Sequence, residues 1–364
     1  RRKEQSYYFF DPGFPTYGET DVDSYSVNPR FTSQFQAAGL THNTTVGWDL
    51  YDYRLENRSA AGKGDIGDPT STKDLDQRQT AWYFHDVMTL DRWSFTLGAR
   101  RLNVDTETET TGFSAGQGED SQDAEMYEGG VRYHFDGGLD VFAGAQRSVR
   151  IVNADEITPD DELLEPQTGE QYTLGASWQK GLQTSTLTAW QGRFDNEIVF
   201  NPYAGGFGSN VNLEDRTLRR GVSLNSRWRL DRDLTLVLNG TLQRAEFDEG
   251  EWEGNDVPLV SRQLFYAQAN WQALSWLELS LAHRYVGKRR FDNDQPNDFQ
   301  QIDSYRMTDL EATARYQNAY LRIGAYNLED ELAADYGVKA ISNPSYNAYP
   351  LPERHYRVSL GMEF

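Results

Sequence analysis

The chain has 364 residues, 38% hydrophobic and 13% aromatic, which is too rich in apolar side chains for disorder and too long for one ordinary globular core. Its 35 Lys and Arg against 56 Asp and Glu leave a net charge of −21, which argues against a nucleic-acid partner because phosphate backbones are repelled. Cysteine is absent, as suits an exported or envelope protein of bacteria, and no apolar run approaches the ~18–20 residues of a membrane helix, a test that half-apolar strands escape.

The first twelve residues, RRKEQSYYFFDP, begin without Met or an apolar signal segment and alternate poorly, so we expect a processed chain or the C-terminal part of a longer one. A polar stretch at 58–75 reads as a long connection. After the tight pair Asp91-Arg92, Trp93, Phe95, Leu97 and Ala99 alternate with Ser94, Thr96, Gly98 and Arg100. A polar loop is expected at 111–122. Asp136-Gly137 then leads into Leu139, Val141, Ala143 and Ala145, each followed by Asp140, Phe142, Gly144 and Gln146 in turn. Long connections at 151–168 and 201–212 bracket a tight one at Lys180-Gly181. Asp231-Arg232-Asp233 precedes Leu234, Leu236 and Leu238, and 249–257 is again long and polar. Leu277, Leu279 and Leu281 form the next alternating run, and Leu321, Ile323 and Ala325 follow a long stretch at 291–304. The last long connection, 329–352, leads to ERHYRVSLGMEF, where Tyr356, Val358, Leu360, Met362 and Phe364 share one face of a strand.

Period-two alternation from end to end predicts an all-β chain. Short and long connections take strict turns, so an up-and-down sheet places all tight turns on one edge and all long loops on the other. That is the asymmetry of a transmembrane antiparallel β-barrel with short periplasmic turns and long extracellular loops. The runs number about sixteen strands, many longer than the ~9–11 residues that cross a bilayer at a tilt, and residues 1–364 read as a single barrel domain.

Motifs for covalent chemistry are weak. Gly112-Phe113-Ser114-Ala115-Gly116 fits G-x-S-x-G, but a nucleophile elbow needs a strand before it and a helix after it, and polar Gln117-Gly118-Glu119-Asp120 follows. His42, His85, His134, His283 and His355 show no metal-ligand spacing, so no metal or other cofactor is assigned and the chain is not read as an enzyme. Asp292-Asn293-Asp294 and Asp248-Glu249-Gly250-Glu251 offer oxygen ligands of the kind calcium accepts, yet no EF-hand spacing, and solvated loop carboxylates are the better reading.

From about Leu164 onward a family resemblance enters. Leu164-Glu165-Pro166 with Tyr172-Thr173-Leu174-Gly175, then Phe194-Asp195-Asn196-Glu197-Ile198, Arg219-Arg220-Gly221-Val222 and Gly254-Asn255-Asp256-Val257-Pro258 follow in an order similar to the barrel of TonB-dependent outer-membrane receptors. Tyr326-Asn327-Leu328-Glu329-Asp330 and Tyr349-Pro350-Leu351-Pro352 resemble that family's segments before the last strand, with Ser223 and Glu353 departing from its preferred Glu and Gly. Residues 1–160 resemble it only in strand texture.

The resemblance implies a barrel of twenty-two strands, of which these would be about the last sixteen, without the N-terminal plug that reaches the coupling protein TonB. It implies an outer-membrane location in a Gram-negative bacterium, contact with membrane lipid and lipopolysaccharide, and uptake of a scarce nutrient, most often a ferric siderophore. It further implies that the last strand, with Tyr356, Val358, Leu360, Met362 and Phe364 toward lipid and Arg357 and Glu363 inward, is read by the barrel-assembly machinery. Ligands of such receptors bind between outer loops and upper wall. Tyr203 and Phe207 on a Gly-rich loop, Trp252, Tyr346 and Tyr349 are the aromatic candidates here, and Arg289 and Arg290, beside Lys288, are those suited to an anionic chelate. The residues alone leave two other readings open: a sixteen-stranded passive porin and a soluble all-β binding protein.

Overall fold

A computed structural model describes residues 2–8, 16–112, 115–152, 156, 164–201, 209–340 and 345–363. The alternating runs form long strands: β1 (Arg2–Tyr8), β2 (Thr16–Val27), β3 (Arg30–Ala37), β4 (Leu40–Ala60), β5 (Ser71–Leu90), β6 (Trp93–Thr110), β7 (Gly116–His134) and β8 (Leu139–Arg150). There follow β9 (Gln167–Lys180), β10 (Gln183–Asp195), β11 (Ile198–Asn201), β12 (Ser209–Asn212), β13 (Thr217–Arg229), β14 (Leu234–Phe247), β15 (Gln263–Leu274) and β16 (Leu277–Val286). The last are β17 (Arg289–Arg290), β18 (Gln301–Ile302), β19 (Tyr305–Tyr316), β20 (Ala319–Tyr326), β21 (Ala334–Lys339), β22 (Tyr346–Pro350) and β23 (His355–Met362). A single 3₁₀ turn at Lys63–Asp65 is the one helical element among the described residues.

Among the described residues seventeen strands carry the main antiparallel meander, while β11–β12, β17–β18 and β21–β22 are small hairpins inside loops. Val27 faces Leu50 and Arg30 faces Gly47 on β4, so β2 and β3 keep one register across Asn28-Pro29. Pro29 has no N–H to donate and only interrupts the ladder, while its carbonyl still accepts from the Trp48 amide at 3.1 Å. The seventeen strands therefore make sixteen spans, in agreement with the sequence.

The tight connections fall where expected at Asp91-Arg92, 135–138, Gly181-Leu182 and 230–233, and three more occur at Ala38-Gly39, Ser275-Trp276 and Gln317-Asn318. Ala38 and Gly39 take φ of 52° and 80°, the left-handed pair of a type I′ hairpin, whose twist matches that of the flanking strands. One expected loop is largely strand. Residues 116–122 continue β7, because a sheet that rises clear of its apolar band can be polar on both faces.

The chain packs as two compact units, one of residues 1–130, 146–169 and 196–213, the other of 131–145, 170–195 and 214–364. In the first, Ala81, Leu102, Val104 and Ala124 form one buried cluster, and Leu75 with Val152 another, packed by Tyr53, Leu55, Leu164 and Ile198. In the second, Tyr305, Met307 and Ala333 are buried together against Val286 and Leu351.

The alternation is inverted with respect to a soluble sheet. Along β6, Trp93, Phe95 and Leu97 are exposed while Ser94, Thr96 and Gly98 are half-buried. On β23, Tyr356, Val358, Leu360 and Met362 are 72, 69, 80 and 61% exposed. Rows of large apolar side chains this open to solvent mark a surface meant for an apolar environment. Phe364 lies outside the described residues.

Candidate functional site

In the second unit the long loops are built into one another. The 287–304 loop, with β17 and β18, meets the 327–354 loop, with β21 and β22, along a short seam: the Asp292 amide donates to the Gly337 carbonyl at 2.9 Å and the Lys339 amide to the Asp292 carbonyl at 3.0 Å. The Tyr336 hydroxyl donates to the Asp292 carboxylate at 2.5 Å, and burial together with that bond pushes the phenol pKa well above its usual value. Gly337 is required at the seam, since a Cβ there would overlap the Phe291 ring. Phe291 in turn packs on Phe299 and Tyr346, with ring centroids 5.5 and 4.8 Å away.

Arg289, only 4% exposed, donates to the Ala334 and Asp335 carbonyls at 2.8 and 2.7 Å, and its guanidinium lies over the Tyr305 ring, whose hydroxyl donates to Asp335 at 2.9 Å. Arg290 donates to the Asn297 and Phe299 carbonyls at 3.1 and 3.0 Å and stands 3.6 Å from the Asp294 carboxylate. Asp294 is fully buried, accepts from the amides of Asp298 and Phe299, and has its pKa raised by that burial. Lys339 bridges Asp294 and Asp298, and its hydrogen bond holds the Asp298 carboxyl below the usual aspartate range.

The 248–262 loop joins this frame. Asn297 and Asp256 exchange two bonds at 2.9 Å, Asn255 donates to the Gln295 carbonyl at 3.0 Å, and Glu249 accepts from Arg216 at 2.7 Å. The acidic loop residues Asp292, Asp294 and Glu249 are thus partnered by Tyr336, Lys339, Arg290 and Arg216 and are not free solvated carboxylates. Among the described residues no group of three or more His, Cys, Asp or Glu gathers as a metal site.

The sequence candidates separate on this frame. Tyr349 is 62% exposed and Tyr346, although packed on Phe291 and Phe299, is 47% exposed, while Trp252 is half-buried edge-on against Phe247. Arg289 and Arg290 have their guanidinium groups committed to loop carbonyls, and Lys288 remains exposed beside Asp303 at 3.0 Å. Tyr203 and Phe207 lie outside the described residues. Gly116 of the G-x-S-x-G stretch begins a strand and not a helix, as the reading against a nucleophile elbow requires.

A second feature, in the first unit, escaped the sequence reading. The face of β4, β5 and β6 that carries Val46, Trp48, Trp82 and Phe84 continues upward as Asp52, Arg54, Glu56 and Arg58, Asp74, Asp76 and Arg78, and Asp105, Glu107 and Glu109. Glu19, Asp21 and Asp23 of β2 pair onto it. The opposite face of the same strands holds Ser24 and Ser26 facing Tyr53 and Tyr51, which face Gln77 and Gln79. Gln79 donates to Gln77 at 2.8 Å and Gln77 to Thr106 at 3.2 Å. With Tyr25, Asp52, Ile151 and Val152 these side chains line a cavity of about 720 Å³. The signal was present in the sequence as charge at every second position, a pattern hidden from a search for apolar alternation.

Residues 1–328 match the family model described as TonB dependent receptor-like, beta-barrel. The chain is 23% identical to the ferrioxamine receptor of Yersinia enterocolitica over 385 residues, which cover 95% of this chain and 51% of that protein. Its fold superposes on the unliganded ferric citrate transporter FecA with a TM-score of 0.80 at 16% identity, over 99% of this chain and 57% of that one. The closed form of the ferric-catecholate import receptor Fiu from K12 E. coli gives a TM-score of 0.77 at 16% identity, over 96% of this chain and 55% of that one. The chain thus spans about half the length of the relatives it matches.

Proposed function

Because the chain belongs to the TonB-dependent receptor-like β-barrel family, we propose that it supplies most of the wall and the outer loops of a single outer-membrane barrel domain that takes up a ferric siderophore. The observation that carries this reading is the interlocked loop frame of 248–262, 287–304 and 327–354, which holds the exposed Tyr346 and Tyr349 on a hydrogen-bonded scaffold. Aromatic faces fixed in place bind a bulky chelate with little loss of side-chain entropy.

The exposed apolar faces of strands such as β6 and β23 supply the lipid contact, with lipopolysaccharide meeting the charged strand ends above them. Energy for release comes from TonB. β23 supplies the recognition strand for barrel assembly, with Tyr356, Val358, Leu360 and Met362 in lipid. The chain's part is binding and passage, without covalent chemistry. Growth of the source bacterium under iron limitation tests the reading. Deleting the full-length gene abolishes TonB-dependent uptake of at least one radiolabelled ferric siderophore, and unchanged uptake of every siderophore tried sinks the proposal.

A further inference from the structure

Charge on the first unit is sorted by face. Above the apolar band the face continuous with Trp48 and Trp82 is dominated by carboxylates, whereas the opposite face is almost uncharged. Along β2, β4, β5 and β6 that second face is made of Ser, Thr, Tyr, Gln, Asn and aliphatic residues. Its charges are Lys73 and the Asp49–Arg100 pair, in which Arg100 donates at 2.5 Å and Asn28 adds a second bond at 3.0 Å. Neither belongs to the 720 Å³ cavity that opens on this face beneath Ile151 and Val152. The one carboxylate in the cavity lining, Asp52, is neutralised by Arg78 at 2.9 Å and accepts from the Tyr25 hydroxyl at 3.2 Å.

Resting on the siderophore-uptake reading, we propose that this cavity selects an electrically neutral ligand rich in amide, hydroxyl and carbonyl groups, and discriminates against polyanionic chelates. Tyr51, Tyr53, Gln77, Gln79, Ser24 and Ser26 each offer a donor and an acceptor, so they can follow a polar neutral surface in either sense. The tyrosine rings and the two aliphatic residues cover its apolar parts. A trianionic chelate entering the same cavity would lose its hydration without meeting a cation, and partly buried charge without a partner is strongly disfavoured. The cavity volume lies within the ~300–1,000 Å³ typical of small-molecule sites. Two ligand sources share this chemistry, a neutral ferric trihydroxamate and a neutral oligosaccharide. The uptake reading favours the first.

The test uses the full-length receptor in outer-membrane vesicles, with equilibrium binding of a neutral ferric trihydroxamate, a trianionic ferric tricatecholate and maltoheptaose. We expect the trihydroxamate to bind at least about tenfold more tightly than the tricatecholate (~1.4 kcal/mol). Gln77→Glu and Tyr53→Asp should each weaken it about tenfold, and Gln79→Arg should raise tricatecholate affinity. Arg54→Gln, on the charged face, serves as the control that folds and binds as before. Equal or tighter tricatecholate binding, or trihydroxamate binding indifferent to Gln77→Glu and Tyr53→Asp, overturns the neutral-cavity proposal and leaves the uptake reading standing. Binding of maltoheptaose alone upholds the neutral cavity and overturns the siderophore reading. Binding of none of the three overturns both.

Discussion

Tyr320 of β20 lies directly opposite Gly361 of β23, and its ring fills the space where a Cβ on that glycine would sit. The same pairing joins Gly47 to Tyr83, Trp190 to Gly221 and Phe265 to Gly240. In each case an aromatic ring covers backbone that a glycine leaves bare, a device that pins register between neighbouring strands. Gly361→Val forces the ring out of place, and overpacking of this kind costs ~1–3 kcal/mol. We expect a lower unfolding midpoint in detergent, read from heat-dependent gel migration. In a Gly361→Val/Tyr320→Ala double variant the collision is gone, so the two losses should be less than additive. Full additivity would separate the ring from the glycine.

Arg289 should prove a scaffold residue. Its guanidinium serves the Ala334 and Asp335 carbonyls and lies over Tyr305, at 4% exposure. Lysine keeps the charge and loses the planar fork. Arg289→Lys and Arg289→Ala should therefore both speed hydrogen exchange across 334–339 in the unliganded receptor, by the ~1–3 kcal/mol of unsatisfied buried acceptors. Exchange unchanged in both variants would return Arg289 to the list of groups free to meet an anion.

How much of this was legible beforehand depends on what kind of alternation a segment carries. Trp93 to Ala99 mixes apolar with polar side chains, so strand and exposed face were both readable. Gly116 to Gln122 (GQGEDSQ) has no apolar member, and it forms strand only because β6 already stands beside it as a template. Asp91-Arg92 and Asp136-Gly137 announce turns by residue type, while Gln317 takes a left-handed φ of 53° with no such advertisement. The hairpins β17–β18 and β21–β22 are two to six residues per strand and depend on each other through Asp292 and Gly337, a tertiary relation that no local pattern encodes. Arg289 read as a surface cation because burial of an arginine is decided by loop carbonyls brought from forty-five residues away.

Acidification should act on the loop seam in two opposite steps. Burial raises the Asp294 pKa, so its contribution is present below the unfolded value and lost as pH rises through the folded one. Lys339 lowers the Asp298 pKa, so that contribution is present above the unfolded value and lost as pH falls through the folded one. Exchange protection of the Lys339 amide, which donates to Asp292, should therefore first rise as the medium is acidified toward the aspartate range and then fall below it. Asp298→Asn should keep the rise and remove the fall; Asp294→Asn should do the reverse. A profile identical in all three proteins would detach the seam from these carboxylates.

Tyr349 offers the most direct test of the loop frame as a ligand platform. Its ring is 62% exposed and touches Tyr336 at a centroid distance of 5.3 Å, while the seam itself is closed by Tyr336, Asp292 and Gly337. Removing the Tyr349 ring therefore takes away contact surface without opening the scaffold. Tyr349→Ala in the full-length receptor should weaken ferric siderophore binding by ~0.5–1.5 kcal/mol, the worth of one aromatic contact, while exchange at 334–339 stays as in the parent. Tyr349→Phe should retain most of the affinity, because the ring face and not the hydroxyl makes the contact. If Tyr349→Ala binds as tightly as the parent, the outward aromatics of this loop are not the ligand platform, and the neutral wall of the first unit becomes the site to map.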